Sequence, residues 1–200
     1  MTEPLLTAEE FERQKPDLPD VGRWVELEDG RIVSLDPPSE AHGNAVLNLS
    51  KLLAVQIQTL PLEESGYACF EMGVIVSRNP DVVRFPAISY FVGHERFAEA
   101  DQLLTKRVPI LVIEIVSTKV RRRGISRRIE EFHTHGVQHV WIADPVDQLV
   151  HVCNRGSSPV SITAGETLSG EPPFPGLSTV VADLFAAPDW WLGTKKRRSG

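Results

Sequence analysis

The most informative pattern in this chain is the segment 109–116, which reads P-I-L-V-I-E-I-V and contains one charged residue, Glu114. A run of this length that is rich in isoleucine and valine predicts a central β-strand covered on both faces. An unpaired carboxylate inside such a strand is costly, and carboxylates found there are usually neutralised, paired or bound to a metal. Glu114 is therefore predicted to be either a metal ligand or the buried partner of an arginine.

Hydrophobic spacing and turn residues predict helices and strands along the rest of the chain. The capping-box pattern Thr7-Ala-Glu-Glu10 begins a short helix near the N-terminus. Asp29-Gly30 is typical of a hairpin turn between two short strands. Apolar residues from Ile125 to Phe132 recur at helical spacing, in a helix that ends at Gly136. The other predicted elements are strands at 23–27, 31–35, 68–77, 87–92, 138–143 and 149–153, a long helix at 40–60 and a short element at 177–185.

The order of these elements predicts an α/β fold, with a mixed β-sheet flanked by helices and an N-terminal β-hairpin. Two hundred residues with 42% hydrophobic content fit one domain. We expect this domain to occupy residues 1–186 and the tail at 187–200 to be partly disordered. The segment 154–176, which is rich in glycine and proline, is expected to consist mainly of loops.

Composition argues against several classes of protein. The N-terminus lacks the basic and apolar segments of a signal peptide, and no apolar run approaches the ~18–20 residues of a membrane span. We therefore expect no membrane partner and a cytoplasmic location. Cys69 and Cys153 are far apart in sequence, and we expect them to be free thiols in a reducing compartment.

The charges are unevenly distributed along the chain. A net charge of −6 argues against a protein that binds nucleic acid over its whole surface. Directly after the Glu114 strand, however, six of the ten residues from 119 to 128 are cationic. Five of them are predicted to contact nucleic-acid phosphates, with solvated surface charge as the alternative: Lys119, Arg121, Arg122, Arg123 and Arg127.

Short motifs occur in a fixed order from residue 6 to residue 185. They are T-A-E-E-F at 7–11, W-V-E-L-E-D-G at 24–30, P-P-S at 37–39 with His42, N-P-D-V-V-R-F-P at 79–86, L-V-I-E-I-V-S at 111–117, G-V at 136–137, W-I-A-D-P at 141–145 and G-L-S at 176–178 with L-F at 184–185. No single motif is specific. Their order and spacing together resemble the Uma-two family of bacterial, restriction endonuclease-like proteins of the PD-(D/E)XK type.

This resemblance implies a restriction endonuclease-like core whose ancestral reaction is metal-dependent hydrolysis of phosphodiester bonds in DNA. In such proteins two carboxylates on neighbouring strands hold Mg²⁺ or Mn²⁺, which polarises the phosphate and lowers the pKa of a bound water. A lysine on the helix after the second strand helps to place that water. Mg²⁺ sites of this kind combine one or two carboxylates with waters and substrate oxygens.

The chain departs from the family pattern at two of these positions. Where the family reads Arg-x-Pro-Asp, this chain reads Arg84-Phe85-Pro86-Ala87, so the first carboxylate is missing. Glu114 retains the second carboxylate, and Arg128 replaces the helix lysine; arginine keeps the positive charge but cannot take up a proton. The resemblance therefore assigns Ala87, Glu114 and Arg128 to the catalytic positions and leaves Glu114 as the remaining metal ligand. We expect hydrolysis to be weak or absent, with Mg²⁺ or Mn²⁺ as cofactor only if the protein is active.

Other residues are candidates to complete or line the site. Asp81 lies six residues before position 87, about 20 Å in an extended chain, and would take part only if its loop folded back. Glu71 is expected on a neighbouring strand, and Glu26 and His42 match recurrent family positions and are expected to line a cleft. Without a carboxylate at position 87, Arg128 is expected to pair with Glu114.

Two hypotheses about function follow. The first is an endonuclease-like protein with a depleted metal site. The alternative is a non-catalytic module that binds nucleic acid or acts as an oligomeric scaffold. DNA and a second copy of this chain, forming a homodimer, are the expected partners.

Overall fold

The structure is a computed structural model that describes residues 4–61, 65–93, 99 and 101–188. Two short 3₁₀ turns, Lys15–Asp17 and Pro19–Gly22, follow the first helix. The helices are α1 Ala8–Gln14, α2 Glu40–Thr59, α3 Lys119–Arg122, α4 Ile125–His135 and α5 Val181–Phe185. The strands are β1 Val25–Glu28, β2 Arg31–Ser34, β3 Gly66–Phe70, β4 Gly73–Ser77, β5 Val82–Arg84, β6 Ile88–Val92, β7 Leu104–Thr105, β8 Leu111–Ile115, β9 His139–Asp144, β10 Leu149–Asn154, β11 Val160–Thr163, β12 Thr167–Ser169 and β13 Ser178–Val180.

A six-stranded sheet with the order β11-β10-β9-β8-β6-β3 contains the predicted central strand. Strands β8 and β9 are parallel, whereas the other neighbours in this sheet are antiparallel. Helices pack against both faces of the sheet. The predicted α/β fold, a mixed sheet flanked by helices, is therefore confirmed.

Strand β8 is buried along its whole length, because each of its faces packs against a different layer of helices. Leu111, Ile113 and Ile115 pack in one apolar cluster with side chains of α2 and α5. Val112 packs on the other side, in a cluster that includes Phe132 of α4. Successive side chains of a strand point to opposite faces, so Glu114 shares the face of Val112 and is directed toward α4.

A second sheet, with the order β2-β1-β5-β4-β7, carries the N-terminal hairpin. The hairpin turn is formed by Asp29 and Gly30, as predicted, and both residues have positive φ angles, of 50° and 73°. Asp-Gly is favoured in such turns because their backbone matches the twist of the flanking strands. The hairpin places Glu26 and Glu28 on β1, next to β5 and its Arg84.

One predicted element is wrong. The segment 68–77 is two strands, β3 and β4, which belong to different sheets. The chain turns between them at Glu71, whose φ of 50° is outside the extended region, so the backbone conformation overrides the apolar pattern. The segment 154–176 consists mainly of loops, as expected, and it also contains two short strands, of which β11 extends the six-stranded sheet by pairing with β10.

Several local predictions are confirmed. Thr7 and Glu10 form the reciprocal capping box at the start of α1, and α4 is followed by Gly136 with a φ of 117°. None of the described helices combines the length and the apolar character needed to cross a bilayer. Most of the predicted tail, residues 189–200, lies outside the described residues.

Asp81 connects α1 to the strands. Its Oδ2 accepts hydrogen bonds from the backbone N–H of Ala8 at 2.7 Å and from Arg78 Nη1 at 2.6 Å. Its backbone carbonyl accepts a hydrogen bond from the N–H of Gly30 at 2.8 Å. The side chain is buried, so these contacts give Asp81 a structural role that sequence spacing does not reveal.

Asp81→Ala should therefore destabilise the fold. Because the substitution leaves a buried N–H of α1 and the Arg78 guanidinium without this acceptor, we expect a loss of about 1–3 kcal/mol in the free energy of unfolding. Urea denaturation measures this loss. Asp17→Ala, at an exposed position, is the control and should change the value by no more than about 0.5 kcal/mol. Equal effects of the two substitutions would contradict the role given to Asp81.

Candidate functional site

The backbone register places position 87 beside Glu114. In the antiparallel pairing of β6 with β8, Ile88 lies opposite Ile113 and Ser89 opposite Val112. Continuing this register by one residue brings Ala87 opposite Glu114. Both residues are buried, and the strand position that carries an aspartate in the family pattern presents a methyl group here.

Arg128 of α4 bridges two carboxylates that come from different sheets. Its Nη2 lies 2.6 Å from Glu114 Oε1 on β8 and 2.9 Å from Glu26 Oε1 on β1, and its Nη1 donates to the second oxygen of Glu26. Its Nε donates to Glu114 Oε1 at 3.1 Å. The expected pairing of Arg128 with Glu114 is thus present, and Glu26 joins it from the hairpin.

A second buried guanidinium, that of Arg84, extends this network. Its Nη1 lies 3.1 Å from Glu26 Oε2 and 2.8 Å from Glu28 Oε2. Its Nε and Nη2 donate to the two oxygens of Glu131 on α4 at 2.8 and 3.0 Å. The backbone N–H of Phe85 also donates to Glu26 Oε1 at 3.0 Å, so both oxygens of Glu26 are engaged.

The two bridged carboxyl groups differ in their proton affinity. Burial alone would raise the pKa of the Glu26 carboxyl, but Arg128, Arg84 and the N–H of Phe85 outweigh burial and hold it at about 2. Burial raises the pKa of the Glu114 carboxyl, and the charge of Glu26 adds to that effect, while Arg128 only partly opposes it. The pKa of Arg128 is raised mainly by the two carboxylates against the effect of burial, so the guanidinium stays charged.

The residues at this position do not fit a Mg²⁺ or Mn²⁺ site. Such ions need several oxygen ligands in a near-octahedral arrangement. Position 87 offers no oxygen, both oxygens of Glu26 already accept hydrogen bonds from arginines, and a guanidinium lies between Glu26 and Glu114. Among the described residues, no group of three or more histidine, cysteine, aspartate or glutamate side chains is arranged to hold a metal ion.

Two adjoining clefts open onto this network, and Glu26, Leu35 and Arg121 line both of them. The first, which we call the Ala87 cleft, has a volume of about 260 Å³ and is also lined by Lys15, Arg23, Trp24, His42, Glu71 and Ala87. The second, the arginine cleft, has a volume of about 360 Å³ and is also lined by Glu28, Arg84, Glu114, Arg123, Arg127 and Arg128.

The five predicted phosphate-contacting residues fall into two groups. Arg122 pairs with Asp144 and Asp147 at 2.7 and 2.9 Å. Arg127 pairs with Asp29 at 2.7 Å and with Glu131 at 2.8 Å, and also reaches Glu28. Lys119, Arg121 and Arg123 form no ion pair with any described carboxylate. Arg122 and Arg127 are therefore neutralised by carboxylates, which favours a role other than phosphate contact for these two residues. Lys119, Arg121 and Arg123 remain the candidates for contact with phosphate.

The predicted cleft residues occupy different positions. Glu26 is buried in the network, and His42 of α2 is buried beside it in the Ala87 cleft. Burial, followed by the charge of Arg121, lowers the pKa of the His42 ring to about 4, so the ring is neutral at neutral pH. Glu71 lies exposed in the turn between β3 and β4. The expectation that it projects from a strand neighbouring Glu114 is therefore wrong.

Sequence reasoning missed the importance of Arg84 and Glu131. Arg84 follows two valines in the motif at 79–86, and Glu131 lies in a charged part of the α4 sequence. The available signal was an arginine inside an apolar run, which has the same need for a partner as Glu114. Glu131 also lies three residues after Arg128, on the same face of α4.

The fold matches that of a solved structure. A crystal structure described as a putative nuclease belonging to DUF820, from Anabaena variabilis, matches with a TM-score of 0.72, at 21% identity, over 90% of this chain and 97% of that one. The family model Uma2, described as "Putative restriction endonuclease", matches residues 8–184. The chain therefore belongs to the Uma2 family. No curated protein matches it.

Glu26→Gln should destabilise the protein more than Glu114→Gln. The Glu26 carboxylate balances two buried guanidinium groups, and removing one partner of a buried ion pair costs about 3–5 kcal/mol. Glu114→Gln should cost less, because burial and Glu26 already disfavour the charged form of Glu114. Urea denaturation at neutral pH compares the two isosteric variants. An equal or reversed order would contradict the assignment of Glu26 as the main counter-charge.

The stability of the network should also depend on pH in a defined direction. The Glu26 pKa is about 2 in the folded chain against an ordinary value of 4.5, so its contribution is complete above pH 4.5 and is lost as the pH falls toward 2. This difference between the folded and the ordinary pKa corresponds to about 3 kcal/mol in the free energy of unfolding. The Glu114 carboxyl has the opposite effect on stability. Because its pKa is raised in the folded chain, its protonation stabilises the fold as the pH falls toward 4.5.

The difference in unfolding free energy between wild type and Glu26→Gln should therefore narrow as the pH falls from 4.5 to 2. Denaturant titrations across this interval measure it. Glu114→Gln is the matched control: because the Glu114 pKa is raised, this carboxyl affects stability only above pH 4.5, so between pH 4.5 and 2 the variant should lose stability in parallel with wild type. A constant difference between wild type and Glu26→Gln would refute the lowered pKa of Glu26.

Proposed function

We propose that this chain is an endonuclease-like protein that binds DNA but does not hydrolyse it by the metal-dependent reaction of its ancestry. The observation that carries the proposal is the position of Arg128. Its guanidinium lies between Glu26 and Glu114, beside a strand position that provides no carboxylate. The site has a protein cation where the ancestral reaction requires a metal ion.

The balance of buried charge supports this proposal. Two carboxylates, those of Glu26 and Glu114, contact the guanidinium of Arg128, and Arg84 neutralises Glu26 from the other side. Without a carboxylate at position 87, the buried charges balance without a divalent cation. The arginine that replaces the helix lysine keeps the positive charge and, unlike a single ammonium group, offers several N–H groups to the two remaining carboxylates.

Arg128 is also unsuited to the role of the lysine that it replaces. A guanidinium does not release its proton at physiological pH and therefore cannot act as a base. Three of its nitrogens already donate to carboxylates. The side chain is buried, so it stabilises the packing of α4 on the two sheets.

Retained DNA binding is favoured by the cations that the network leaves unpaired. Lys119, Arg121 and Arg123 lie next to the clefts or on α3, and within the described part of the chain they form no ion pair. The overall charge of −6 restricts DNA contact to this local basic surface. Binding should therefore weaken steeply as the salt concentration rises.

A nuclease assay on supercoiled plasmid with Mg²⁺ or Mn²⁺ tests the proposal. Wild type and Glu114→Gln should show no metal-dependent cleavage, while both retain salt-sensitive DNA binding. The double variant Ala87→Asp with Arg128→Lys restores a second carboxylate and removes the bridging guanidinium. We expect Mn²⁺ to raise the thermal midpoint of the double variant and not that of wild type, because a ligand that binds the folded state stabilises it.

Cleavage by wild type that disappears in a folded Glu114→Gln variant would contradict the proposal. The single variant Arg128→Lys is the control for the double variant. It retains a positive charge but adds no oxygen, so it should gain neither cleavage nor stabilisation by Mn²⁺.

A further inference from the structure

Arg121 differs from the paired arginines around the two clefts. Arg84, Arg122, Arg127 and Arg128 each lie within 3.2 Å of at least two carboxylates. Arg121 is half-buried on α3, lines both clefts and forms no ion pair with a described residue. Its charge acts on the Glu114 carboxyl only from beyond ion-pair distance. A half-buried cation of this kind is suited to an anion that enters the cleft.

Polar atoms without partners occur in the same cleft. His42 Nδ1 and Arg121 Nε are buried and have no hydrogen-bond partner among the described residues, and both side chains line the Ala87 cleft. Buried polar groups nearly always have a partner in native proteins, so two such atoms at one cleft indicate a polar ligand.

The charges of the Ala87 cleft also favour an anion. Lys15, Arg23 and Arg121 line it, against the carboxylates of Glu26 and Glu71. Glu26 is neutralised by Arg84 and Arg128, and Glu71 is exposed to solvent. Lys15 is held in place by a hydrogen bond to the carbonyl of Gly22 and by contact with the Phe85 ring. The cleft therefore has an excess of positive charge outside the buried network.

Trp24 adds a flat apolar surface to the same cleft. Aromatic side chains of this kind stack on nucleic-acid bases without regard to sequence. We propose that the Ala87 cleft binds one nucleotide unit, with its phosphate on Arg121 and its base against Trp24. The nucleotide belongs either to a DNA strand or to a free mononucleotide. The inference for DNA rests on the proposed function, whereas the inference for a free nucleotide does not.

Titration with AMP and with inorganic phosphate tests the site directly. NMR signals of the His42 ring should shift in a saturable way with both ligands. Arg121→Gln should weaken AMP binding about tenfold or more, because it removes a charge-assisted contact to the phosphate. Arg122→Gln is the matched control on the same helix, and it should change AMP binding by less than about twofold, because Arg122 is already paired with aspartates. Trp24→Leu should weaken AMP binding but leave phosphate binding unchanged.

The site is refuted if AMP and phosphate cause no saturable shift of the His42 signals, or if Arg121→Gln and Arg122→Gln have equal effects. Circular dichroism and urea midpoints confirm that each variant is folded, and Arg121→Lys should restore part of the affinity because it returns the charge.

Fluorescence anisotropy with an eight-nucleotide single strand of DNA separates this inference from the proposed function. AMP binding through Arg121 without DNA binding would overturn the proposed function alone. DNA binding that is unaffected by Arg121→Gln would overturn this inference for DNA and leave the proposed function in place.

Discussion

The structure depends on one buried interaction, the bridge that Arg128 forms between Glu26 and Glu114. Each of the three side chains comes from a different unit: the N-terminal hairpin, the central strand and the helix α4. Because each charge would be costly if it were buried alone, the three elements can pack closely only together. Arg84 and Glu131 enclose the bridge and connect the hairpin to α4 a second time. Removing any one of these partners would leave a buried charge uncompensated.

The same interaction links the fold to the proposed function. A nuclease of this type needs carboxylates that are free to hold a metal ion, and here the carboxylates are engaged by arginines. Positive charge that remains available is found nearby, at the Ala87 cleft and on α3. In the proposed function these are two roles: the buried part of the site holds the packed elements together, and the rim contacts a phosphate.

Much of the fold and part of the candidate site could be predicted from the sequence, because the sequence signals were local or strongly periodic. The capping box at Thr7, the Asp29-Gly30 turn and the central strand with its single acid follow from short patterns. The pairing of Arg128 with Glu114 followed from the resemblance and the missing carboxylate at Ala87. The rest depends on contacts between distant parts of the chain. Glu26 meets Arg128 across about a hundred residues of sequence, and the turn at Glu71 overrides an apolar pattern that is typical of one strand.

The most direct test of the central claim is the effect of Mn²⁺ on the NMR signal of the Arg128 Nε–H. This proton donates to Glu114 Oε1, so it lies beside the place where a metal ion would bind. Mn²⁺ is paramagnetic and broadens signals near its binding site. If the guanidinium supplies the cation of the site, the Arg128 signal should remain sharp at Mn²⁺ concentrations that saturate an active nuclease. Selective broadening of that signal, abolished by Glu114→Gln, would show that a metal binds here and would contradict the account.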